Sequence, residues 1–146
     1  RDWARAMGAP NVYTPQVIAG GADWRRWPSL PPRPSNPPMS LRLTRDGDRV
    51  HADLGQPVAR RAGWVGYWAA VEHGHVSRVT AGENRGETLR HDHLVRAYEP
   101  VAAWGSGAQR FEWTPPAAEA GHPQRIVFVV AEADTLRPVQ ALALDC

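Results

Sequence analysis

Over residues 39–145 apolar side chains recur at every second position in short runs, and nowhere at the three-and-four spacing of a helix. A period of two puts alternate residues on opposite faces of an extended chain, so this part of the molecule is restricted to sheet. Leu41 and Leu43 alternate with Arg42 and Thr44, and Val50, Ala52 and Leu54 alternate with His51 and Asp53. Asp46-Gly47-Asp48 between them has turn chemistry, and the two runs predict a β-hairpin. Trp64 to Val71 is apolar on both faces, the pattern of a central strand covered on both sides. Gly74 turns the chain into His75 to Thr80, and a glycine-bounded loop follows at residues 81–86. Glu87 to Glu99 reads as one extended run interrupted by Pro100, with Val101 to Trp104 continuing after a bulge. Gln109 to Thr114 alternates again, and Pro115 to Pro123 is a long loop. Arg125 to Ala131 is the most apolar run in the chain, and Pro138 to Leu144 pairs back with it across Ala133-Asp134-Thr135. Seven or eight short strands separated by turns, with no fixed-period repeat, predict an antiparallel β-sandwich or barrel.

The first 38 residues are of another kind. Arg1 to Met7 reads as a short helix closed by Gly8, and Val12 to Ala19 as a β-rich run entered through Thr14-Pro15 and closed by Gly20-Gly21. Pro28 to Pro38 holds six prolines in eleven residues, too many for a helix or a central strand, and predicts a polyproline-II linker flanked by Trp24 and Trp27. The organisation expected is therefore a helix-strand remnant over 1–27, a linker over 28–38 and a β-sandwich over 39–146. Because the chain opens on Arg1 in the middle of that helix, a truncated or processed product is expected. No run of 18 apolar residues occurs, so no transmembrane segment is expected.

All seventeen basic residues are arginine, fifteen acids are interspersed among them, and the formal charge is +2. With no basic block carrying interleaved aromatics, no nucleic-acid partner is expected. The single cysteine, Cys146, excludes an intrachain disulfide and any metal-thiolate cluster within the chain.

Arg1-Asp2-Trp3-Ala4-Arg5-Ala6-Met7-Gly8 followed by Val12-Tyr13-Thr14-Pro15-Gln16, and later Gly82-Glu83-Asn84-x-Gly86-x-x-Leu89 with Val95-Arg96, resemble a family of uncharacterised secreted bacterial proteins, the domain-of-unknown-function family 1223. The resemblance implies an N-terminal thioredoxin-like (α/β) domain carrying a Cys-x-x-C motif and a β-rich C-terminal domain. Residues 1–27 then correspond to the last helix-strand segment of the first domain. It also implies that Thr14-Pro15 is a cis-proline loop that offers backbone hydrogen bonds to a protein or peptide substrate, and that the protein is secreted or periplasmic. The motif cysteines fall upstream of Arg1 in that scheme, so no residue here takes a catalytic role and no cofactor is expected. The function implied is a structural or partner-binding part of a secreted thioredoxin-like protein. Its partner is the missing N-terminal half, and thiol-disulfide activity belongs to the full-length form, not to this chain alone.

Other residues suggest other chemistry. His73/His75 and His91/His93 are two His-x-His pairs, and on a strand this spacing puts both rings of a pair on one face, where Cu(II) or Zn(II) can be held. His91 and His93 are expected to share a face, whereas Gly74 puts a turn between His73 and His75 and keeps them from converging with the other pair. Glu83, Asn84 and Arg85 form a possible polar loop site, although the same residues also suit an ordinary turn. Trp64, Trp68 and Trp113 sit in strand patterns and are expected in the core, while Trp24, Trp27 and Trp104 lie near loops, where they suit an exposed platform for a sugar or peptide, although core or interdomain packing is the better reading for most. The sequence shows neither a glycosidase-type carboxylate pair nor a nucleophile-elbow serine.

Overall fold

The computed structural model describes residues 16–26, 28–32, 36–59 and 61–146. The expected helix at Arg1 to Met7, the Thr14-Pro15 peptide and Trp27 lie outside the described residues. The strands in chain order are β1 (Ile18–Ala19), β2 (Ala22–Asp23), β3 (Leu41–Asp46), β4 (Arg49–Leu54), β5 (Trp64–Glu72), β6 (His75–Arg78), β7 (Thr88–His91), β8 (Leu94–Trp104), β9 (Gln109–Trp113), β10 (Gln124–Glu132) and β11 (Pro138–Asp145). The described residues contain no helix, and hence none long and apolar enough to cross a membrane.

Two antiparallel sheets make the sandwich that the period-two pattern predicts. One has the order β11-β10-β5-β8, the other β3-β4-β9. β4 presents Val50, Ala52 and Leu54 to the space between the sheets, and β5 and β10 present Trp68, Ala70, Ile126, Phe128 and Val130 from the other side. The aromatic rings interlock across this space. Trp68 lies against Phe128 at 4.6 Å and reaches Trp113 of the opposite sheet at 5.9 Å, while Phe111 lies 5.8 Å from Phe128 and 5.2 Å from Trp104. Trp104 is thus a core residue at 8% exposure rather than part of a surface platform. β5 is central, as its two-faced apolar pattern predicts, with β10 on one side and β8 on the other. Gly66 has to be glycine for a packing reason, since a Cβ there would stand 2.8 Å from the Val129 carbonyl oxygen.

The β3–β4 hairpin pairs Asp46 with Arg49 around Gly47, whose φ of 60° suits the first central position of a two-residue turn. The run from Glu87 to Glu99 is where local reading and structure part. Its break falls at Asp92-His93, where His93 takes φ 60°, the strand runs through Pro100 still paired with Tyr67, and the expected bulge follows between Val101 and Trp104, where the register with β5 shifts. β8 lies at a sheet edge, so the missing proline N–H leaves no ladder bond unmade on its free side. At the N-terminal end, Ile18–Ala19 turns through Gly20 and Gly21 into Ala22–Asp23, and Gly21 lies close against Arg137 of the β10–β11 connection and Pro138 at the start of β11.

Candidate metal centre

At one end of the four-stranded sheet, Gln124 of β10 stands opposite Glu72 of β5. These are the two buried polar side chains among the described residues, at 5% and 1% exposure, and both hold the loop between β9 and β10. Gln124 donates its Nε2–H to the Pro116 carbonyl at 3.0 Å, and Glu72 Oε1 accepts the Glu119 backbone N–H at 3.1 Å. One further ladder bond, from the His73 N–H to the Pro123 carbonyl, fastens the far end of the loop to the end of β5.

The loop closes with a turn in which the His122 N–H bonds the Glu119 carbonyl at 2.9 Å. Gly121 supplies φ 83°, the value a type II turn requires at its third position. Glu119 and His122 therefore emerge side by side. Across from them Gly74, at φ 75°, redirects the chain from β5 into β6 and brings His75 over the same spot, its ring stacked on that of His122 at 3.8 Å with 6° between the planes. One ring nitrogen from each histidine and a Glu119 carboxylate oxygen lie within 4.8 Å of one another.

Hydrogen bonding decides which lone pairs are available. His75 donates from Nε2 to Glu72 Oε2 at 2.8 Å, which leaves Nδ1 as its free lone pair. His122 donates from Nδ1 to the His73 carbonyl at 3.0 Å, leaving Nε2. Orientation of a ligating imidazole by a carboxylate or carbonyl on its other nitrogen is the usual outer support of a metal-bound histidine. Parallel rings direct their lone pairs alongside each other, so the stack has to splay for both to meet one ion. Around a tetrahedral ion with bonds of about 2.0–2.1 Å the donor atoms sit roughly 3.3 Å apart.

The fourth element of the site comes from a β-bulge. The register passes from Ala70↔Ala97 to Val71↔Val95, so Arg96 is the extra residue of β8. A bulge re-aims its side chain, and Arg96 bridges Glu72 Oε2 through Nε and Glu119 Oε2 through Nη2, each at 3.3 Å. Burial acts to raise the Glu72 carboxyl, but the Glu119 N–H, the His75 hydrogen bond and the Arg96 charge together hold it below the ordinary carboxylate value. Glu72 is thus an anion that organises the site from beneath. Beside the cluster, His122 also lines a cleft of about 520 Å³ walled by Pro115, Pro116 and Ala117, with Arg45 and Cys146 at its margin.

The histidines expected to act in pairs are distributed otherwise. His75 joins the cluster. His73 contributes its backbone, and its ring meets His93 edge-to-face at 4.4 Å, contrary to the expectation that the two pairs stay apart. His91 ends β7 while His93 follows the turn, so the two do not share a strand face, and His91 instead hydrogen-bonds Ser77 at 2.7 Å. Glu83, Asn84 and Arg85 form an exposed turn at the tip of the β6–β7 hairpin, closed by backbone bonds from Arg85 to Gly82 and from Glu87 to Asn84. Sequence reading missed Glu119 and His122. The only local signal for them was Glu-x-Gly-His, in which glycine can close a turn between two ligand types.

Fold and site together define an antiparallel β-sandwich with a histidine–carboxylate cluster at one end of its larger sheet. The chain belongs to the family described as protein of unknown function (DUF1223), whose profile matches residues 1–131 and so includes every residue of the cluster. No curated protein and no solved structure matches it.

Proposed function

We propose that this domain binds a divalent transition metal through His75 Nδ1, His122 Nε2 and the Glu119 carboxylate. The observation that carries the proposal is that one ring nitrogen of each histidine and a Glu119 carboxylate oxygen lie within 4.8 Å of one another, while each imidazole is hydrogen-bonded from behind. Two imidazoles and one carboxylate suit Zn(II) or Cu(II). Three protein ligands leave a position open, as in sites that exchange a ligand rather than in closed structural sites. Calorimetric titration of the metal-free chain with Zn(II) or Cu(II) tests this. One equivalent is expected to bind, with loss of binding in His122→Ala and retention in His91→Ala. Absence of binding, or binding indifferent to His122→Ala, would show the proposal wrong.

A second reading concerns the whole polypeptide and is supported by the resemblance of Arg1 to Gln16 to the thioredoxin-like half. We propose that the sandwich accompanies a secreted or periplasmic thiol-disulfide protein, in which a cis Thr14-Pro15 loop receives a protein or peptide substrate and this chain is the partner-binding part. Joining a Cys-x-x-C half to this chain is expected to give disulfide reductase activity that falls on Pro15→Ala. Equal turnover by this chain alone and by its Cys146→Ser variant would contradict it.

A further inference from the structure

Building on the metal reading, we infer that the centre takes a carboxylate-bearing ligand, held jointly by the ion and the Arg96 guanidinium. Charge comes first. Glu72 and Glu119 against Arg96 leave the cluster with one net negative charge when both imidazoles are neutral, and a divalent ion reverses it to one net positive. A monoanion at the open position restores neutrality.

Geometry supplies the second hold. Arg96 Nη2 stands 3.3 Å from the Glu119 oxygen Oε2, so the guanidinium lies next to the carboxylate that would hold the ion. Nε remains on Glu72, which fixes the guanidinium plane from the buried side. Arg96 is 43% exposed, so a ligand from solvent can reach it. A planar guanidinium matches the two oxygens of a carboxylate better than an ammonium does. In regular register one residue of β8 would oppose each residue of β5, whereas the extra residue is the one arginine among the described residues that touches both acids of the site. Arg96 is thus placed as a ligand-positioning residue, and not merely as a counter-ion for Glu72.

The test uses the chain loaded with one equivalent of Zn(II), titrated with acetate and separately with sulfate, and followed by the NMR shift of the Arg96 Nε–H. Acetate is expected to bind the zinc-loaded chain at least tenfold more tightly than the metal-free chain. Arg96→Gln is expected to bind zinc at least as tightly, because Glu119 is freed from its ion pair, yet to lose the tenfold preference for acetate, and Arg96→Lys to recover part of it. Calorimetry reads the acetate affinity of the variants. A silent zinc titration would overturn both the metal reading and this one. Zinc binding with no acetate response, or an equal response in Arg96→Gln, overturns this inference alone, and a stronger response to sulfate than to acetate overturns the carboxylate assignment.

Discussion

Replacing Gly121 by alanine isolates the turn that sets Glu119 beside His122. A Cβ built on Gly121 meets nothing within 4 Å, so the substitution adds no collision and its cost is that of the backbone alone. At φ 83° an L-residue loses about 1–2 kcal/mol, and restriction of the unfolded chain by alanine returns about 0.4–1 kcal/mol. The net loss is about 1 kcal/mol, or a fall of about 3 °C in Tm for a domain of this size. Gly47 provides the control, with φ 60° in the β3–β4 hairpin and no atom within 4 Å of a built Cβ. Gly47→Ala is expected to cost a similar amount of stability and to leave zinc affinity unchanged. Gly121→Ala can relieve its strain by opening the turn, which separates two of the three proposed ligands, so zinc affinity should fall by up to about fivefold, the factor equivalent to 1 kcal/mol. Urea unfolding and zinc calorimetry on both variants decide the matter. If the two lose equal stability and bind zinc equally, the type II turn does not organise the centre and the reasoning fails.

Phe128 is fully buried against Trp68 and Phe111, so Phe128→Ala should lose about 3–5 kcal/mol, a large part of the 5–15 kcal/mol available to a typical domain; a loss below about 1 kcal/mol in urea unfolding would contradict the packing described. Because the Glu72 carboxyl is depressed in the folded state, its stabilising effect is present above its ordinary value of 4.5 and is lost as pH falls through the lower folded value. The urea midpoint should therefore fall more steeply with acidification below pH 4.5 in the wild type than in Glu72→Gln, and identical slopes would remove Glu72 from its organising role. Metal affinity should itself weaken on acidification, since both imidazoles must be neutral to ligate, and a titration flat in pH would point to oxygen ligands alone.

The alternation of Leu41, Leu43, Val50, Ala52 and Leu54 was enough to place β3 and β4 and the face each buries, because a period of two is a local property of an extended chain. The two-faced apolar run at Trp64 to Val71 likewise announced a central strand, and Trp68 and Trp113 belonged to the core on pattern alone. Pattern says which face a residue takes, but it does not say which strand lies beside it. That choice was tertiary: β10 pairs with β5 from more than fifty residues away, and only its register puts Gln124 opposite Glu72 and carries Glu119 and His122 to His75. The His-x-His spacings drew attention to histidine pairs close in sequence, while the cluster took one histidine from such a pair and its other members from a distant loop. His93 at φ 60° and the bulge at Arg96 were equally invisible, since each answers to hydrogen bonding between strands already paired rather than to any preference of its neighbours in sequence. Local periodicity decided that this chain is sheet; the pairing of strands remote in sequence decided where its polar residues converge, because that pairing is fixed by the packing of the whole core.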